Sequence, residues 1–153
     1  MNARSVQYKT AALSLAATLT LALGAQCAFA ATMNNVANGL PPVQHAGDIA
    51  YVSGGIGSDQ SAAFKAATAH YPLSLEFARQ SAGGNEYLAD VPVTISDAHG
   101  QTLLSTQTHG PFMLVTLPRG HYVVSASHDG KTVKRSVDVG KTTHEHEAFV
   151  WPT

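Results

Sequence analysis

The feature that most restricts the fold of this chain is a two-residue alternation of apolar and polar side chains that recurs, between turn residues, from Leu73 to the C-terminal end. Leu73, Leu75 and Phe77 alternate with Ser74, Glu76 and Ala78, the period of a strand with one face on a core and the other in water. Val91, Val93 and Ile95 repeat the pattern after a Gly-Gly-Asn loop. Turns are expected at Asp97-Ala98-His99-Gly100, His109-Gly110-Pro111 and Pro118-Arg119-Gly120, with strands between them at Gln101 to Thr106 and Phe112 to Leu117. Tyr122, Val124 and Ala126 alternate next, Asp129-Gly130 is a strong hairpin signal, and Val133, Arg135, Val137 and Val139 alternate beyond it. His144 to Trp151 gives a last strand. Seven short strands with turns about every ten residues predict a mainly β, antiparallel sandwich of immunoglobulin-like kind. Pro92 predicts an edge position for its strand, because proline donates nothing to a ladder.

Ahead of the sandwich, Asp48 to Ser53 reads as a short strand broken by Gly54-Gly55-Ile56-Gly57. Ser58 is placed to cap a helix over about 59–70, with Asp59 at its positive end. Ala63, Phe64, Ala67 and Tyr71 form one stripe, and Pro72 ends the helix. About 12 residues of helix are marginal alone, so this N-terminal helix is expected to dock by its Phe64 stripe. Residues 31–47 contain Asn, Gly and a Pro-Pro pair without a period and read as a flexible leader. Residues 48–153 then form a single β-sandwich domain with its N-terminal helix.

Residues 1–30 carry Arg4 and Lys9 but no acid, then an apolar run of about 14 residues from Ala11 to Gly24, then Ala28-Phe29-Ala30. This is the pattern of a Sec-type signal peptide cut between Ala30 and Ala31, and it predicts a periplasmic or secreted protein. The run is shorter than the roughly 20 residues that span a bilayer, so no transmembrane segment is expected in the mature chain. Cys27 follows Gln26 rather than the small residue that lipidation requires, and cleavage removes it. Without cysteine the mature chain has no disulfide or thiolate chemistry.

Loss of Arg4 and Lys9, from nine basic groups against ten acidic, moves the formal charge from -1 to -3. Nucleic-acid binding loses its electrostatic basis. No Gly-x-Ser-x-Gly elbow and no paired acids in a loop-rich segment appear, so no catalytic residue and no enzyme activity is expected.

The stretch from Ala89 to Val139 carries, in order, Ala-Asp-Val-Pro-Val-x-Ile, an Asp-x-x-Gly turn, a Gly-Pro-Phe turn into a strand, and Leu-Pro-x-Gly-x-Tyr. In these features it resembles the carboxypeptidase regulatory-like domain, a transthyretin-like sandwich. The resemblance implies an accessory role without catalytic or cofactor-binding residues, since in carboxypeptidases the zinc site belongs to another domain. The expected partner is an envelope protein, a peptide or a glycan. The chain as a whole further resembles small exported proteobacterial proteins of unassigned role. Within the last motif, Leu117 and Gly120 shape a turn that folds the Tyr122 ring inward, with its hydroxyl reaching upstream backbone.

Eight histidines in a chain with 12% charged residues are the compositional oddity, and all follow residue 30. His144 and His146 in His144-Glu145-His146-Glu147 would share one strand face, about 6 to 7 Å apart, a span suited to Cu, Zn or Ni. A closed site needs further ligands, for which His121, His128 and Asp138 are the candidates if the last strand forms a hairpin with the one before it. The plainer reading is a solvated edge strand whose His and Glu discourage sheet-to-sheet association, with Phe149 and Trp151 facing the core. The zincin pattern is excluded, since Ala148 stands four after His144. Gly54 to Ser58 could offer amides to an anion or simply form a tight turn, and its spacing fits neither the dinucleotide fingerprint nor the P-loop.

Overall fold

The computed structural model describes residues 39–140 and 144–153. The expected signal segment, its expected Ala30-Ala31 junction and the first part of the expected leader lie outside the described residues.

The alternation resolves into ten strands among the described residues: β1 Gln44–Ala46, β2 Ile49–Gly54, β3 Leu73–Ser81, β4 Gly84–Tyr87, β5 Pro92–Asp97, β6 Thr102–Gln107, β7 Phe112–Thr116, β8 Gly120–His128, β9 Lys131–Val139 and β10 Glu145–Trp151. One sheet has the order β1-β2-β7-β3-β10, with β4 also paired to β3; the other has the order β6-β5-β8-β9. The inward phase of each alternation meets between them. Leu73, Leu75, Phe77, Val93, Ile95, Val115, Val124, Val137, Phe149 and Trp151 belong to that shared core. The mainly β sandwich is therefore the fold, with two short strands, β1 and β4, beyond those the sequence indicated.

Helix α1 (Ser58–Ala67) continues as a 3-10 turn over Thr68–His70, so the helical segment ends two residues before Pro72. Its Phe64 is fully buried and belongs to a second cluster with Leu40, Val52, Phe112 and Leu114. Ala63, Ala67 and Tyr71 pack around that cluster, as the stripe predicts. The helix thus covers the outward face of the six-stranded sheet. Phe64 stacks on Phe112 with ring centroids 6.0 Å apart.

Several expectations are corrected. Ser58 does not cap the helix: Gly57 occupies the cap position at φ 87, and Ser58 bonds instead to Asp59. The side-chain oxygen of Gln60 accepts from the amides of Gly55 and Ile56, at 2.7 and 3.2 Å. Two of that loop's amides are consequently bound within the chain, in keeping with the tight-turn reading. The expected leader is joined to the fold from its described end onward, because Leu40 is buried and β1 pairs with β2. Pro92 is not on an edge strand. β5 lies between β6 and β8, and proline is tolerated because it is the first residue of the strand, opposite Gln107 and ahead of the β8 pairing that begins at Val93.

The largest correction concerns β10. It does not form a hairpin with β9; it crosses to the other sheet and runs parallel to β3, with Glu145 opposite Leu73 and Trp151 opposite Arg79. The sandwich is accordingly antiparallel except at this pair. Crossing gives the backbone of β10 the open side of β3 and sends Phe149 and Trp151 into the core, where Phe149 stacks on Phe77 at 5.6 Å. The seam to β9 is closed by side chains: the Trp151 indole N–H donates to the Lys131 carbonyl at 2.9 Å, and Arg135 lies 3.8 Å from Glu147.

Candidate functional site

Parallel pairing of β10 with β3 decides what surrounds the two C-terminal histidines. Phe149 and Trp151 set the inward phase of β10, and Glu145 and Glu147 share it; His146 falls on the outward phase, opposite Ser74. The rings of His144 and His146 lie on one face with centroids 6.5 Å apart and planes at 29°, as the strand spacing predicts.

Each ring is held through Nδ1. His144 Nδ1 is 3.0 Å from the carbonyl of Tyr71, just beyond the helical segment. His146 Nδ1 is 2.8 Å from the hydroxyl of Ser74, a residue only 2% exposed. That hydroxyl in turn donates a longer contact, 3.4 Å, to the carbonyl of Glu145. The other nitrogen of His146, Nε2, stands 3.8 Å from a carboxylate oxygen of Glu76. Glu76 and Ser74 were not singled out in the sequence. Their signal was present as the outward phase of β3, but alternation alone does not say which strand lies beside it.

The other ligands considered for this pair lie elsewhere. His121 and Asp138 face each other across β8 and β9 and pair through His121 Nδ1 and an Asp138 carboxylate oxygen. His128 packs edge-on against Trp151, with ring centroids 5.7 Å apart, at the end of β8. None of the three belongs to the sheet that carries His144 and His146. Among the described residues, no three His, Cys, Asp or Glu side chains are gathered as a ready-made metal site.

Tyr122 occupies the corner the sequence assigned to it. Its ring is 7% exposed, and its hydroxyl donates to the carbonyl of Pro118 at 2.8 Å. Burial, and secondarily the Asp97 carboxylate, push the phenol above its ordinary pKa of 10.0. Leu117 is buried in the core beside it, and Gly120 opens β8. These three residues serve the fold.

A recess of about 650 Å³ lies alongside the helix between Leu40, Ala63, Ala67, Tyr71 and Thr116, with His70 at its wall. No helix among the described residues is long and apolar enough to cross a membrane. No family model matches the chain, and no curated protein matches it significantly.

Proposed function

We propose that this protein is an exported, non-catalytic accessory module of carboxypeptidase regulatory-like type, which presents one side of its sandwich to an envelope protein, a peptide or a glycan. The observation that carries the reading is an asymmetry between the two sheets. The six-stranded sheet has its outward face covered by α1, whereas on the outward face of the four-stranded sheet Thr94 and Ser125 are half-buried and Ser105 and Lys134 exposed.

That open face is poor in charge and rich in hydroxyls. Ser105, Thr94, Ser125 and Lys134 stand opposite one another in a row across β6, β5, β8 and β9. Ser127 and Thr132 bond to each other beside it at 2.7 Å. Hydroxyls both donate and accept, so a row about 4.8 Å apart from strand to strand suits a partner presenting alternating polar groups, such as a peptide backbone or a sugar.

The test is crosslinking and co-purification from envelope extracts, using the unaltered protein and a Thr94→Arg/Ser125→Arg variant. The expected result is a partner enriched over a control exported protein and lost in the variant. Equal recovery with both forms, or no enrichment over the control in repeated trials, would overturn the reading.

A further inference from the structure

We infer that His144, His146 and Glu76 form a binding site for one divalent transition-metal ion of the borderline class, with Cu(II) held most tightly. This goes beyond the accessory role, and either can fail without the other.

The first support is the protonation pattern imposed on the two rings. A carbonyl oxygen only accepts, so the contact with Tyr71 puts the proton of neutral His144 on Nδ1. Nε2 is then left with a free lone pair. His146 Nδ1 is held 2.8 Å from the Ser74 hydroxyl, a group that can accept as well as donate and so supports the tautomer with the proton on Nδ1. Both imidazoles are anchored through Nδ1, which leaves Nε2 of His144, and of His146 in the same tautomer, as the ligand atom. Such anchoring by a carbonyl or other acceptor is the arrangement that orients metal-binding histidines.

The second support is the carboxylate. With the proton on Nδ1, the His146 Nε2 lone pair and a Glu76 oxygen face each other over 3.8 Å, two acceptors with no hydrogen between them. A cation resolves that opposition. Ligand atoms bound to one ion at about 2.0–2.2 Å stand about 2.8–4.4 Å apart, from a right angle at the metal to a straight one. The observed separation falls inside this range. Glu145 and Glu147 fall on the opposite side of β10, where Glu147 lies 3.8 Å from Arg135, which leaves Glu76 as the carboxylate on this face.

The third ligand requires a small movement. Two imidazoles bound to one ion through Nε2 have centroids about 5–6 Å apart, and those of His144 and His146 are at 6.5 Å. His144 precedes β10, so a turn of its half-buried ring about the side-chain bonds is the movement that metal binding would require, with β10 in place. Two imidazoles and one carboxylate with open positions suit Cu, Ni and Zn, and the ordering of divalent affinities places Cu(II) above the other two.

The experiment is calorimetric titration of the untagged protein with Cu(II), Ni(II) and Zn(II) at neutral pH, with electron paramagnetic resonance of the Cu(II) complex. The expected outcome is one Cu(II) per chain with Kd tighter than about 10 μM, a spectrum showing two coordinated nitrogens, and weaker binding of Ni(II) and Zn(II). Glu76→Gln and Ser74→Ala should each weaken Cu(II) by roughly tenfold, the scale of ligand-orienting contacts. A His144→Ala/His146→Ala double variant should abolish the site, while His128→Ala, on the other sheet, should leave it unchanged. Circular dichroism checks that each variant is folded. A Kd weaker than about 10 μM, or Glu76→Gln behaving like His128→Ala, overturns the proposal; the unaltered protein's spectrum decides it even if the double variant does not fold.

Discussion

The hydroxyl of Tyr122 donates a 2.8 Å hydrogen bond to the carbonyl of Pro118, closing the turn between β7 and β8 while the ring enters the core. Removing the hydroxyl alone leaves the packing and deletes the bond. Tyr122→Phe is therefore expected to lower stability by about 1 kcal/mol, read from the urea midpoint.

The same residue sets a term in the alkaline pH dependence. Its pKa is raised in the folded state, so the unfolded chain releases the proton first as pH climbs. The stabilisation is full below about pH 10 and is lost as pH rises through the folded-state value. Unfolding midpoints measured upward from pH 9 should fall more steeply for the unaltered protein than for Tyr122→Phe. Parallel curves would refute the assignment.

Phe64 joins the helix to the sheet. It is fully buried and stacked on Phe112, so Phe64→Ala is expected to cost about 3–5 kcal/mol, a large share of a small domain's stability. Trp151, the chain's single tryptophan, is 1% exposed in the core between the sheets. Its emission should shift to the red on unfolding and report the lower urea midpoint directly.

Thr108 is a buried polar residue whose side-chain oxygen accepts from the amide of Val91 at 3.1 Å. Thr108→Val keeps the shape and leaves that amide donor without its side-chain partner in a dry site. The expected loss is about 1–3 kcal/mol, measurable by thermal melting.

The turn between β8 and β9 has Asp129 at φ 48 and Gly130 at φ 74, both in the left-handed region that two-residue hairpins of this kind require. Asp129→Ala should cost about 1–2 kcal/mol, the penalty for an ordinary side chain there. Asp129→Asn should be nearly neutral, because asparagine tolerates the conformation. Equal losses in the two variants would show that the Asp129 carboxylate, 3.3 Å from His128 Nε2, matters more than the backbone.

Local chemistry made much of the fold readable. The Asp129-Gly130 hairpin, the Phe64 stripe and the inward Tyr122 follow from backbone conformation and side-chain period, which need no knowledge of distant residues. Pro92 misled because its restriction applies to one missing donor: at the first residue of β5 the β8 ladder has not yet begun, so nothing is lost in a central strand. The strand Gly84–Tyr87 escaped notice because all four of its residues are exposed and show no alternation. Within the candidate metal site, the shared face of His144 and His146 was legible, whereas Ser74 and Glu76, about seventy positions earlier, were not.

By itself the sequence determined which side chains of each alternating strand face the core, since alternation fixes phase and burial rewards only one phase. Tertiary structure alone decided which strands became neighbours and in which direction. Backbone hydrogen bonds are the same whatever residues they join, and nothing in His144 to Trp151 marks β3 rather than β9 as its partner. The parallel pairing with β3 places Phe149 and Trp151 in the core between the sheets, and it brought His146 beside Ser74 and Glu76.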